Sequence, residues 1–181
     1  MSQLSIDRIH ADPASAAAVA IAAIGVATIL GAYFFQYVLR LAPCPLCLEQ
    51  RYAYYFAIPL AVLVVLAARV GAKRKVIIAG LAAIAAMMLW NSGLGVYHSG
   101  VEWHLWRGPQ DCSGDLNDLR AGGGLLRQLE TVRVVRCDEA PWRFLGLSLA
   151  GYNVLISLTL ALIAAWGTWM TWRLRTGDAE D

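Results

Sequence analysis

Four long runs without a charged residue dominate this chain: Ala16–Phe35, Tyr52–Ala68, Val76–Tyr97 and Phe144–Trp172, of 20, 17, 22 and 29 residues. A helix needs roughly 20 apolar residues to cross the hydrocarbon core of a bilayer. Runs rich in Ala, Leu, Ile and Val cross as helices, because a lone helix satisfies its own backbone in lipid. Composition agrees. The 181 residues are 59% hydrophobic and 15% charged, against about 25% charged in a soluble domain. A soluble fold of this size has too little interior to hide that much apolar surface. Tyr33, Phe34 and Phe35, then Tyr52, Tyr54 and Tyr55, then Trp166, Trp169 and Trp172 sit near run ends, as an aromatic belt does. The expected fold is an all-α integral membrane protein, one four-helix bundle over residues 1–181 with two outer loops. Its spans are expected at about 16–39, 52–68, 76–97 and 144–170, with loops at 40–51 and, much longer, at 98–143. The first run is too long for a signal-peptide core and no small-x-small cleavage site follows before Cys44, so it is expected to be retained.

Lys and Arg orient the spans. Arg69, Lys73, Arg74 and Lys75 crowd the connection between the second and third runs, and Arg8, Arg173 and Arg175 flank the outer two. The positive-inside rule makes these segments, and hence both termini, cytoplasmic. All four cysteines then lie on the opposite side: Cys44 and Cys47 in the first outer loop, Cys112 and Cys137 in the second. In a bacterium that side is the periplasm, where disulfides form and persist. The net charge is only +2 and no basic tract points to nucleic acid.

The cysteines admit several readings. Two disulfides could simply brace two loops, each contributing about 2–4 kcal/mol. That suits Cys112 and Cys137 better than Cys44 and Cys47, because a ring closed across two residues removes little chain entropy and is readily reduced. Zinc is disfavoured, since the second pair is 25 residues apart and His98 and His104 match no common ligand spacing; no metal is expected. Cys44 and Cys47 open the second span, where a helix N-terminus stabilises a thiolate, and Pro43 and Pro45 suit a helix start. Arg51 follows Cys47 by four residues and shares its helix face. On these grounds alone it reads either as a partner for a thiolate or an anionic acceptor, or as a side chain snorkelling to the interface.

The combination of C-x-x-C, Arg51 four residues on, the start of the second of four helices, and two cysteines in a long second loop resembles the disulfide bond formation protein B (DsbB) family. The stretches "GVYHSGVEWHLW" and "CDEAPWRFLGLSLAGYN" agree, and the resemblance runs roughly from Ile21 to Trp166. It implies an inner-membrane protein-disulfide:quinone oxidoreductase that reoxidises a periplasmic thioredoxin-fold oxidase (DsbA-like) and passes two electrons to ubiquinone or menaquinone. Carried over, Cys112 would receive the partner's thiolate, Cys137 would attack Cys44, and Cys47 would be the sulfur that faces the quinone. Arg51 matches the family's quinone-interacting arginine, and His98 falls near its histidine at the end of the third span, with His104 as the alternative. Gly122–Gly124 read as a hinge in the second loop. Leu119, Leu125, Leu126, Leu129 and Val132 read as a short amphipathic helix, lying on the bilayer or packed on the spans.

Three rivals remain in view. One is a non-enzymatic membrane protein with disulfide-braced loops. A second resembles the vitamin K epoxide reductase family, whose active C-x-x-C lies at the last core helix, whereas here it opens the second span. A small transporter is the third, and none of the four apolar runs carries the ionisable residue that an ion path usually needs.

Overall fold

The computed structural model describes residues 12–109 and 137–177. Among them are four long helices: α1 (Pro13–Tyr33), α2 (Pro45–Arg69), α3 (Arg74–Glu102) and α4 (Leu149–Gly177). A π-helical stretch, Phe34–Val38, extends α1. Two short strands, β1 (Arg143–Phe144) and β2 (Leu147–Ser148), precede α4. All four helices are long and apolar enough to cross a membrane. At 1.5 Å per residue the 25 residues of α2 span about 37 Å, more than the roughly 30 Å hydrocarbon core, so helix ends stand in the interface.

Local chemistry sets the helix ends. Asp12 caps α1 by accepting the N–H groups of Ala14 and Ser15 at 3.3 and 3.2 Å, with Pro13 as the first helical residue. Cys44 caps α2: its backbone is extended and its sulfur accepts the Cys47 N–H at 3.2 Å, ahead of Pro45. The helix therefore starts seven residues before the apolar run at Tyr52, and α3 continues past Tyr97 to Glu102. An apolar run measures what lipid covers, whereas caps decide where the helix ends. At the fourth run the reverse holds. Leu145 and Gly146 adopt positive φ, 49° and 83°, and close a two-residue hairpin that pairs Phe144 with Leu147. The helix begins only after it, with Ser148 Oγ accepting the Gly151 N–H at 3.2 Å.

The helices form a ring in which α1 and α3 each pack on both α2 and α4. The core is built of small and branched residues such as Ala18, Ile21, Ala57, Ala61, Leu81, Ile84, Leu160 and Ala164. Without a hydrophobic force between helices in lipid, such close small-residue packing holds the bundle. At Gly95 a Cβ would stand 2.8 Å from Val154 Cγ2 and 3.3 Å from its backbone nitrogen, so α3 and α4 approach as only glycine allows. Leu30, Leu63, Leu89, Trp90 and Leu162 point outward, a broad apolar surface that lipid would cover.

Candidate active site at the cysteine end of the bundle

The N-terminal turn of α2 carries the reactive pair. Cys44 is buried and Cys47 half-buried, and both are free thiols. The Cys44 thiol donates to Cys47 Sγ at 2.7 Å. That donation first, and burial second, hold the Cys44 thiol well above its ordinary range. Cys44 is thus the more enclosed sulfur of the pair and Cys47 the more open one.

His98, on α3 and 2% exposed, faces the pair from the side. Its Nε2 lies 3.6 Å from Cys44 Sγ and 3.9 Å from Glu102 Oε1, one turn further along α3. Its Nδ1 accepts the side-chain N–H of Gln50 at 3.0 Å, which puts the ring proton on Nε2, toward the sulfur and the carboxylate. Glu102 is 5% exposed and also receives the hydroxyl of Ser148 from the hairpin. His104 is exposed in the turn that ends α3, so of the two histidines the fold brings His98 to the cysteines.

Arg51 lies on the other side of Cys47. It donates to Gln36 Oε1 at 2.6 Å and stands 5.5 Å from the centre of the Tyr33 ring, whose hydroxyl pairs with that of Tyr55 at 2.9 Å. Gln36 belongs to the π-helical stretch, a local widening frequent at functional sites. The arginine is therefore held by side chains of the bundle rather than extended into solvent.

Two cavities meet at Cys47. The larger, about 640 Å³, lies among α1, α2, α4 and the hairpin, and is lined by Ile24, Thr28, Gln36, Gln50, Arg51, Tyr54, Trp142, Phe144, Asn153 and Ile156. Its wall is mostly apolar and aromatic with a few polar groups, the usual make-up of a small-molecule site. At that wall Tyr54 OH donates to Asn153 Oδ1 at 2.7 Å, while Asn153 Nδ2 is a buried donor with no partner among the described residues. The smaller cavity, about 230 Å³, is lined by Cys44, Cys47, His98, Glu102 and Glu139. Arg51 and His98 thus address the pair from different cavities.

Cys137, 1% exposed, packs in one small buried cluster with Cys44, Leu46 and Val101. It is disulfide-bonded, and neither Cys44 nor Cys47 is its partner. Cys112, Gly122–Gly124 and the leucines of the expected amphipathic helix lie outside the described residues. Sequence reasoning passed over Gln36, Gln50, Glu102, Ser148 and Asn153 as members of the site. Glu102 had a signal, its i,i+4 spacing from His98, visible only once α3 is known to run past Tyr97. Gln36 and Asn153 had none, being single polar residues within or beside apolar runs.

The class these features define is a multi-pass membrane protein with a dithiol site at one end of a four-helix bundle. Comparison with known proteins gives the family. The profile of the disulfide bond formation protein DsbB family matches residues 14–167. Curated relatives named disulfide bond formation protein B include one from Albidiferax ferrireducens, 31% identical over 141 residues, which cover 72% of this chain and 76% of the relative. Another, from Hahella chejuensis, is 32% identical over 162 residues, covering 79% and 88%. A third, from Aromatoleum aromaticum, is 32% identical over 136 residues, covering 73% and 78%. No solved structure matches the chain significantly. The chain belongs to the DsbB family, and so is a multi-pass bacterial membrane protein with a role in disulfide bond formation.

Proposed function

We propose that the protein reoxidises a periplasmic thioredoxin-fold dithiol oxidase, resembling DsbA, and passes the two electrons to ubiquinone or menaquinone in the inner membrane. The observation that carries this reading is the position of Cys47, half-buried between an aromatic-lined cavity with Arg51 in its wall and a buried cluster that holds Cys44 and Cys137. The cavity suits a quinone: it is mostly apolar, and Arg51 in its wall offers a donor for a carbonyl oxygen. A bound quinone supplies an acceptor for two electrons and two protons. Arg51 would favour its reduced, more anionic forms, since a fixed cation acts strongly where water is excluded.

The sulfur chemistry is a chain of exchanges. A thiolate of the partner attacks Cys112, breaking the Cys112–Cys137 bond and releasing Cys137 as a thiolate. Cys137 attacks Cys44, breaking the Cys44–Cys47 bond and releasing Cys47 as the thiolate beside the cavity. The partner's second thiol resolves the mixed disulfide, Cys112 re-forms its bond to Cys137, and Cys44 is released to re-form its bond to Cys47 as the two electrons leave. Each step needs an attacking thiolate and a leaving sulfur whose charge is stabilised as the bond breaks. The His98 Nε2–H, 3.6 Å from Cys44 Sγ, supports that sulfur as it leaves. In this reading the cysteine end faces the periplasm and both termini face the cytoplasm, as the Lys and Arg distribution expects.

The test is a trap. Cys137→Ser leaves the mixed disulfide at Cys112 without its resolving partner in the chain. Expressed in a periplasm-containing host, it should accumulate a covalent complex at Cys112 with a thioredoxin-fold protein, identified by mass spectrometry. Finding no such protein attached would overturn the assigned role.

A further inference from the structure

The donors around the reduced pair form a constellation that electron transfer does not require. Cys44 Sγ, Cys47 Sγ and His98 Nε2 all lie within 4.8 Å of one another, and Glu102 Oε1 is 3.9 Å from the same Nε2. We propose that, when Cys44 and Cys47 are reduced, this cluster binds a soft divalent cation such as Zn²⁺ or Cd²⁺ through the two sulfurs and His98 Nε2, with Glu102 as the fourth ligand.

Distances favour it. With metal–sulfur bonds of about 2.3 Å and metal–nitrogen bonds of about 2.0–2.1 Å, neighbouring donors of a tetrahedral site stand roughly 3.5–3.8 Å apart. Cys44 Sγ and His98 Nε2 are already 3.6 Å apart. Glu102 Oε1 stands 3.9 Å from the same nitrogen and reaches the ion by rotation of its side chain, and the sulfurs, 2.7 Å apart, spread by about 1 Å. Cys44, His98 and Glu102 are each at least 95% buried, and the 230 Å³ cavity they line gives an ion a way in. The chain also supplies an outer partner. Coordination at Nε2 moves the ring proton to Nδ1, where Gln50, after a half-turn of its amide, accepts it. Both sulfurs bind as thiolates and release their protons to water, so the oxidised pair, which has no thiolate, does not bind. The ligand spacing in the sequence hides this site, because the nitrogen comes from α3 and not from the second cysteine pair. If the proposed electron relay is right, a bound ion also silences it, by occupying the sulfur that serves the acceptor.

The experiment uses the full chain in detergent with Cys112→Ser and Cys137→Ser, so that only Cys44 and Cys47 offer sulfur. After reduction with a phosphine the protein is titrated with Cd²⁺, and the sulfur-to-cadmium charge-transfer absorption is followed. The expected result is a band that saturates at one equivalent, disappears with a chelator, and is absent once the pair has been oxidised. His98→Ala and Gln50→Leu should each weaken the affinity, the latter by about 10- to 100-fold as loss of an outer partner does. Absence of the band overturns the proposal. So does a band whose affinity neither substitution changes, because two thiols alone would then hold the ion. Should His98→Ala not fold, Gln50→Leu decides the matter by itself. Because the readout is metal binding, its failure leaves the quinone reading intact, and failure of quinone turnover leaves this one intact.

Discussion

Cys44 and Cys47 are two residues apart in the sequence but unequal in the fold. Cys44 is buried, caps α2 and donates its thiol hydrogen to Cys47, which keeps it protonated above the ordinary thiol range. A small alkylating agent at mildly alkaline pH should therefore modify Cys47 and spare Cys44 in the reduced protein; peptide mapping that finds Cys44 labelled first would reverse the assignment. Arg51 makes a second prediction. Held by Gln36 and Tyr33 in the wall of the larger cavity, it should contribute a charge-assisted hydrogen bond worth about 1.5–3 kcal/mol. Arg51→Ala should then raise the quinone KM by about 10- to 100-fold while dithiol exchange with the partner changes little. An unchanged quinone KM would return Arg51 to an interface role. The i,i+4 spacing puts Arg51 on the helix face of Cys47 from sequence alone, because that relation is local, whereas a role toward a quinone comes only from the resemblance. Gln50, Glu102 and Asn153 were not legible as site residues, because their roles come from contacts 48, 46 and 99 residues away in the chain.

Four helices were readable directly from charge-free runs, because lipid leaves a chain few alternatives. Their ends were less so. The cap at Cys44 lengthens α2 outward and carries the reactive pair into its first turn, while the Leu145–Gly146 hairpin delays the start of the fourth helix to Leu149. These shifts matter, because they put Glu102 one turn beyond His98 and bring Ser148 against it. The ring of helices depends on close contacts of the kind seen at Gly95. Gly95→Leu forces a side chain into Val154 and its backbone, and should destabilise the α3–α4 pair by about 1–3 kcal/mol, as overpacking does. A lowered thermal midpoint in detergent, with the helical circular dichroism retained at low temperature, would confirm this; an unchanged midpoint would show that the helices can separate freely. On the polar side, Tyr54, Asn91, Asn153 and Ser157 tie α2, α3 and α4 together inside the bundle directly beneath the larger cavity. That network holds Tyr54 and Asn153, which line the cavity, in place, as a site that must position an acceptor beside one sulfur needs.

The bundle as a whole gathers three of the four cysteines at one end and gives that end two cavities that meet at Cys47. A membrane protein whose loops were merely braced would have no use for the larger cavity, nor for an arginine held in its wall. The arrangement suits a relay in which the bundle holds Cys44 and Cys47 still, near a lipid-soluble acceptor, while the second pair meets a soluble partner. In the proposed reading, the charges at the other end, with Arg69, Lys73, Arg74 and Lys75 in one short connection, would orient the relay across the membrane. The central claim is that electrons cross from a soluble dithiol to a quinone through both pairs. The measurement that meets it most directly is quinone-dependent reoxidation of a reduced thioredoxin-fold oxidase by the purified protein, compared with its Cys47→Ser and Cys112→Ser variants. The account predicts sustained turnover by the unmodified protein and none by either variant; full rates in both variants, or no turnover with any quinone, would contradict it.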